Sequence, residues 1–277
     1  MTSLPENFIE THASDLRRCF ELFSLAERSE SLEVSREADE ILYRIAARAT
    51  KTFRAALHLC ILGHGEQATM LNRSLFEDLL TAHWVDLNPD EAVERLRKHE
   101  RHTAMLWKEH LAERGLDLGA LADLPDLTDE ERKELQSLFG LRGQIAWTGL
   151  TTYDLVEAVE ASWGGDEEQF LLWHMHDVHL RHANRTIHVS GEALLRPTAD
   201  PERPDLLIYD AAPSDRDVPI ALLAAFWAYA NLMRLVLPGS QRDALVTFYR
   251  ENMPLFFRPR PSDADQEPEG PSGEPNA

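Results

Sequence analysis

Residues 218–237 are the stretch that most restricts the fold. In VPIALLAAFWAYANLMRLVL, the residues Ile220, Leu222, Leu223, Phe226, Trp227, Tyr229, Leu232 and Leu235 point in every direction around a helix. A helix that is apolar all round has to be enclosed, so the remaining chain must supply a shell of elements around it. Asn231 and Arg234 interrupt the run before it reaches the ~20 apolar residues of a membrane span. A central core helix is therefore expected, and no membrane contact.

The candidates for that shell are helical. Apolar positions recur at helical spacing in residues 5–28 (Phe8, Ile9, Leu16, Phe20, Phe23) and again from Leu32 to Gly63 (Ile41, Leu42, Ile45, Phe53, Leu57, Leu59). Gly63-His64-Gly65 breaks the pattern, a third helix is predicted over Glu66–Leu87, and Asn88-Pro89-Asp90 closes it. A charged helix then runs from Pro89 to Gly115 with an outer face of mixed Glu, Arg and Lys, and with His99, His102 and His110 as surface positions. Thr128-Asp-Glu-Glu131 has the form of a capping box for a helix to Gly140, and Thr151 or Thr152 caps a short helix over Tyr153–Trp163. The class is all-α, a multi-helix bundle in which residues 1–257 form one helical domain. Residues 196–217 are an irregular proline-rich excursion with one β-like run, Leu206–Tyr209. Core helices follow over 218–253, and 258–277 form a disordered acidic tail.

Composition narrows the function. The net charge is −20 over 277 residues, and residues 258–277, with five Asp/Glu against two Arg, carry little of it. Such a field repels nucleic acid and anionic membranes in bulk, which leaves only a local site for a polyanion. Cys19 and Cys60 stand alone in helical patterns and read as small core residues. The opening residues, MTSLPENFIETHASD, lack the basic start and apolar core of a secretory signal, so a cytoplasmic protein is expected. No cofactor motif is present.

A function is best sought in Asp166–Leu195, which holds five of the twelve histidines. At 100° per residue, His174, Asp177, Arg181, Asn184 and His188 fall within a ~80° arc. The arc contains neither Lys nor Glu and is flanked by apolar residues such as Leu172, Ile187, Met175 and Val178, which suggests an enclosed polar seam. A solvated face and a buried hydrogen-bonded network are the two readings without chemistry. In the chemical reading, Arg181 and His188 stand about 10 Å apart along one face. The guanidinium holds a phosphate by a forked contact, and the imidazole moves a proton. Together they suit RNA cleavage without a metal, where the 2′-hydroxyl is the nucleophile. His188 is then the base or acid, Arg181 stabilises the charge at phosphorus, and Asn184 or His182 orients one of them. His176/His179 or His179/His182 have a spacing suited to a metal pair, but no third ligand is identifiable, and no metal is assigned.

Arg73 and Glu77 share a helix face in the order less favourable for a local ion pair, which points Glu77 towards a partner elsewhere: Arg181 or His188, if the two helices are neighbours. Candidate catalytic residues are thus His188, Arg181, Asn184 and Glu77. Candidate binding residues are Arg73, His174, Asp177 and His182.

Arg73-Ser-Leu-Phe-Glu77, Trp147-Thr-Gly149, the short helix at Tyr153–Val159 and Asn184-Arg-Thr-Ile-His188 together resemble an uncharacterised bacterial all-helical family over residues 40–195. Its pattern is an Arg-x-x-x-Glu helix, a Trp-x-Gly loop and a Ser/Asn-x-x-x-His helix. Arg181-His182-Ala-Asn-Arg-Thr-Ile-His188 is similar, more loosely, to the Arg-x(4–6)-His motif of HEPN domains. That resemblance implies a homodimeric ribonuclease of toxin or defence type, with a site shared between two chains. The competing expectation is a non-catalytic helical binding or regulatory protein whose seam is a structural network or small-ligand pocket.

Overall fold

A computed structural model describes residues 8–27, 34–143, 145–163, 172–180, 183, 199–200, 203–207 and 217–257. Eight α-helices organise them: α1 (Phe8–Glu27), α2 (Glu37–Ile61), α3 (Gly65–Leu87), α4 (Pro89–Glu113), α5 (Asp129–Phe139), α6 (Thr152–Glu160), α7 (Val218–Val236) and α8 (Gly239–Asn252). The protein is all-α; among the described residues the only β structure is a two-stranded antiparallel ladder, Ala199–Asp200 against Arg203–Leu207. Of the expected β-like run Leu206–Tyr209, Leu206 and Leu207 fall in this ladder, which begins earlier, at Arg203, and Ile208 and Tyr209 lie outside the described residues. The acidic tail, 258–277, lies outside the described residues.

The apolar run forms α7 and sits at the centre. Every residue from Ala224 to Met233 is buried, Asn231 included. By length and composition α7 would suffice to cross a membrane, which corrects the expectation that Asn231 and Arg234 disqualify it. Here α1, α2, α3 and α8 take up its surface. Asn231 is accommodated because its amide donates to the Trp227 carbonyl at 2.8 Å and its own oxygen accepts from Arg234 at 2.8 Å.

α2 and α3 are the main walls. On α2, Ala38, Ile41, Leu42, Ala46, Ala49, Phe53, Ala56, Leu57 and Cys60 recur every three or four residues and are all buried. Phe53 stacks on Tyr229 of α7 at 4.2 Å, and the Tyr229 hydroxyl lies 3.2 Å from Thr50 Oγ1. α3 begins where α7 begins: a Cβ on Gly65 would come within 2.6 Å of the Asp217 carbonyl carbon, so only glycine permits this approach. One to two turns on, the Asn72 amide donates to Ala221 O at 2.7 Å. The opposite side of α3 carries Asp78, fully buried and held by Arg48 of α2 through both carboxylate oxygens. Cys19 and Cys60 are both buried, as small core residues.

α4 and α5 form an outer layer. Thr128 and Glu131 make the anticipated capping box, and Thr151, with Asp154, caps α6. Lys98–Glu134, Arg101–Glu131 and Arg132–Glu109 tie α4 to α5 at 2.6–3.0 Å. His102 departs from the surface position expected of it. It is buried against Phe139, with Nε2 3.1 Å from Gly140 O, because α5 folds back over that face of α4.

Candidate functional site

α3 carries the first half of the anticipated site. Arg73 and Glu77 are half-buried, and Arg73 Nε donates to Glu77 Oε1 at 3.0 Å. One Glu77 oxygen is thus engaged within its own helix, contrary to the expectation that sequence order would free it for a distant partner. Partial burial explains the difference: with less water to compete, the pair forms even in the less favourable order.

The histidine-bearing segment supplies the other half, and its geometry differs from a regular helix. Residues 172–174 are helical, but Met175–Leu180 form a π-helix. The i→i+5 closure adds about one residue per turn, so positions spaced three and four apart drift out of register. The two described members of the polar seam are not enclosed. His174 and Asp177 are exposed, whereas Leu172, Met175 and His176 are buried. His176 Nδ1 lies 2.9 Å from Asp177 Oδ1, and its ring meets Trp173 and Tyr153 at 5.6 and 6.1 Å. This π-helical turn packs on α3. Arg181, His182, Asn184 and His188 lie outside the described residues.

Two groups around α3 escaped the sequence reading. The first is His83, on the same helical face as Asn72 and Phe76 and hence directed towards α7. Trp163 Nε1 donates to His83 Nδ1 at 3.5 Å, and the rings meet edge-on at 5.1 Å. His83 Nε2 is cut off from solvent and meets no hydrogen-bond partner among the described residues. Burial, reinforced by the nearby Arg234 guanidinium, pushes the imidazole down to about 4, so it is neutral at physiological pH. Its only sequence signal is a histidine inside the apolar run LLTAHWV. The second group is Arg95 on α4. It lies over the Trp84 ring at 5.4 Å and donates to the Thr148 carbonyl, pinning the Trp147-Thr148-Gly149 loop. Trp147 meets Trp84 edge-on at 6.0 Å. Gly149 has φ +69°, and a Cβ there would lie 3.1 Å from Arg95 Nη1. The Trp-x-Gly element is therefore a structural clamp between α3 and α4.

Among the described residues no three His, Cys, Asp or Glu side chains converge on a point where a metal would sit. What the described site brings together is a half-buried Arg–Glu pair, a helix of irregular pitch packed beside it, and a neutral histidine on the neighbouring face of α3.

The model of a family of unknown function, DUF5677, matches residues 39–202, more than half of the chain. No curated protein and no solved structure matches.

Proposed function

The chain belongs to the family of unknown function DUF5677, and from this premise we propose that it is a metal-independent ribonuclease acting through Arg181 and His188. The observation that carries the reading is the π-helical turn of the histidine-bearing segment packed on α3, the helix of Arg73 and Glu77. A π-turn has poorer hydrogen-bond geometry than the α-helix it replaces, and such turns concentrate at functional sites. Here it stands just before the Arg181–His188 pair in the sequence.

In the proposed reaction the RNA 2′-hydroxyl attacks phosphorus and loses its proton to a base, and the 5′-oxygen leaves and takes up a proton. His188 performs one of these transfers, and Arg181 neutralises the charge that builds on the non-bridging oxygens. Asn184 and His182 orient these groups. Arg73 and Glu77, already bonded to each other, position them from α3, with His174 and Asp177 as exposed contacts to the substrate. The active form is a homodimer with a site shared by two chains, since one Arg–His pair provides a single acid–base group and the reaction uses two. The strongly acidic remainder of the chain restricts RNA to this site.

The test is incubation of the full-length chain with end-labelled single-stranded RNA in the presence of EDTA. Cleavage leaving 2′,3′-cyclic phosphate ends is expected, falling about 100-fold or more in His188→Ala and in Arg181→Ala at unchanged helical content. RNA left intact by a micromolar dimer, or cut equally well by His188→Ala, overturns the proposal.

A further inference from the structure

Three aromatic rings come together between α6 and the histidine-bearing segment, two elements that both pack on α3: Tyr153 from the first turn of α6, and Trp173 and His176 from the segment. Their centroids lie 5.5 Å apart for Tyr153 and Trp173, 5.6 Å for Trp173 and His176, and 6.1 Å for Tyr153 and His176. The corresponding planes are inclined at 59°, 86° and 71°. Planes so inclined form a corner, where parallel rings would form a stack. Tyr153 is 50% exposed, Trp173 is half-buried and His176 is buried, so the cluster reaches from solvent into the packed interior.

The charge around the rings is negative. The Glu157 carboxylate, one turn further along α6, accepts the Tyr153 hydroxyl and raises that phenol above its ordinary range, with Asp177 and Glu160 adding less. Asp177 in turn lies 2.9 Å from His176 Nδ1. Two carboxylates are thus tied to the cluster by its own polar atoms. The faces of aromatic rings carry negative potential, so a carboxylate beside them reinforces it, and a cation is the ligand that gains from both. Elsewhere the chain meets this demand internally: Arg18 stands over Phe256 at 5.7 Å and Arg95 over Trp84 at 5.4 Å.

We propose that the Tyr153–Trp173–His176 corner binds a quaternary ammonium group of the choline type, with its methyl groups against the rings and its charge towards Glu157. A quaternary nitrogen carries no N–H, so the rings and the nearby charge meet all that it requires, whereas a primary ammonium needs acceptors for three N–H groups. The net charge of −20 favours a cationic ligand over an anionic one before contact is made. The inference goes beyond the ribonuclease reading and does not rest on it, because neither Arg181 nor His188 takes part.

The test is titration of the full-length chain with choline at constant ionic strength, followed by tryptophan fluorescence and by calorimetry. The controls are ethanolamine, its primary-ammonium counterpart, and the uncharged isostere in which carbon replaces the quaternary nitrogen. Choline is expected to bind about tenfold or more tightly than the uncharged isostere, and more tightly than ethanolamine. Tyr153→Leu and Glu157→Gln, both at exposed positions, are each expected to weaken choline binding by about three- to tenfold at unchanged helical content. His188→Ala, which abolishes the proposed RNA cleavage, leaves choline binding unchanged, so the two proposals fail separately. Absence of choline binding at tens of millimolar overturns the inference. So does equal affinity for the uncharged isostere or for ethanolamine, or binding that survives both variants.

Discussion

The molecule contains two Trp–His pairs of nearly the same local geometry, and they behave as different chemical objects. Trp163 and His83 meet edge-on at 5.1 Å, and Trp107 and His110 do so at 5.8 Å. Trp163 is buried against α3 and Trp227 of α7, whereas the Trp107 indole stands in solvent. In the buried pair the indole N–H is spent on His83, and the imidazole is kept neutral by lack of water and by Arg234. In the exposed pair more than half of the Trp107 side chain stays in water. The difference comes from distance to α7: a residue pair enclosed by the core helix becomes packing, and the same pair on the outer layer keeps its surface in water.

The largest expected effect breaks the buried member. Trp163→Ala removes a large ring from a site bounded by His83 and Trp227, and should cost about 3–5 kcal/mol in urea unfolding. A loss below about 1 kcal/mol would mean that the site collapses freely and that Trp163 is not part of the packed core.

Next in size is the protonation of His83. Its pKa near 4 in the folded protein lies below the ordinary value of about 6.5 in the unfolded chain, so between these values the unfolded state binds more protons. The stabilisation is complete above about pH 6.5 and is lost as pH falls towards 4, by roughly 3 kcal/mol in all. His83→Leu should flatten the stability profile over that window relative to the parent protein. Parallel profiles for the two proteins would show that His83 is not held neutral.

Much of the scaffold can be read directly from sequence, because helix ends and apolar periodicity are local properties. Thr128 with Glu131 announces the start of α5, and the apolar run 218–237 announces α7. Groups whose environment is made by distant elements are harder to anticipate. Asn72 meets Ala221 O across 149 residues, and His83 is neutral because of Trp163 and Arg234. His102 is buried because α5 returns over it, not because of anything beside it in sequence. The pitch of the histidine-bearing segment is also hidden from sequence, since periodicity alone gives no sign of the π-turn at Met175–Leu180 that leaves His174 and Asp177 exposed beside a buried His176. The family match shows the same division between sequence and packing. Residues 39–202 end before α7, yet α2 and α3 bury their apolar faces on that helix. Sequence similarity over 39–202 therefore outlines less than the unit that packs together.

An intermediate case sharpens the comparison. Trp147 is half-buried against Trp84 and held there by the Gly149 turn under Arg95. Gly149→Ala puts a Cβ into the left-handed region at φ +69° and close to the guanidinium. It should cost about 1–2 kcal/mol in the same unfolding measurement, between the buried and exposed pairs. A neutral substitution would show that the loop is free to readjust and that the Trp-x-Gly element does not clamp α4 to α3.

The smallest effect on stability belongs to the exposed pair. Trp107 contributes little burial on folding, so Trp107→Ala should change the unfolding free energy by no more than about 0.5 kcal/mol. The side chain keeps a large apolar surface in water, and folding draws little on it. A cost above about 1 kcal/mol would place Trp107 with Trp163 as a packing residue and remove the distinction between the two pairs. Unchanged stability keeps the two pairs distinct, with Trp163 as packing and Trp107 as an indole that the folded core does not draw on.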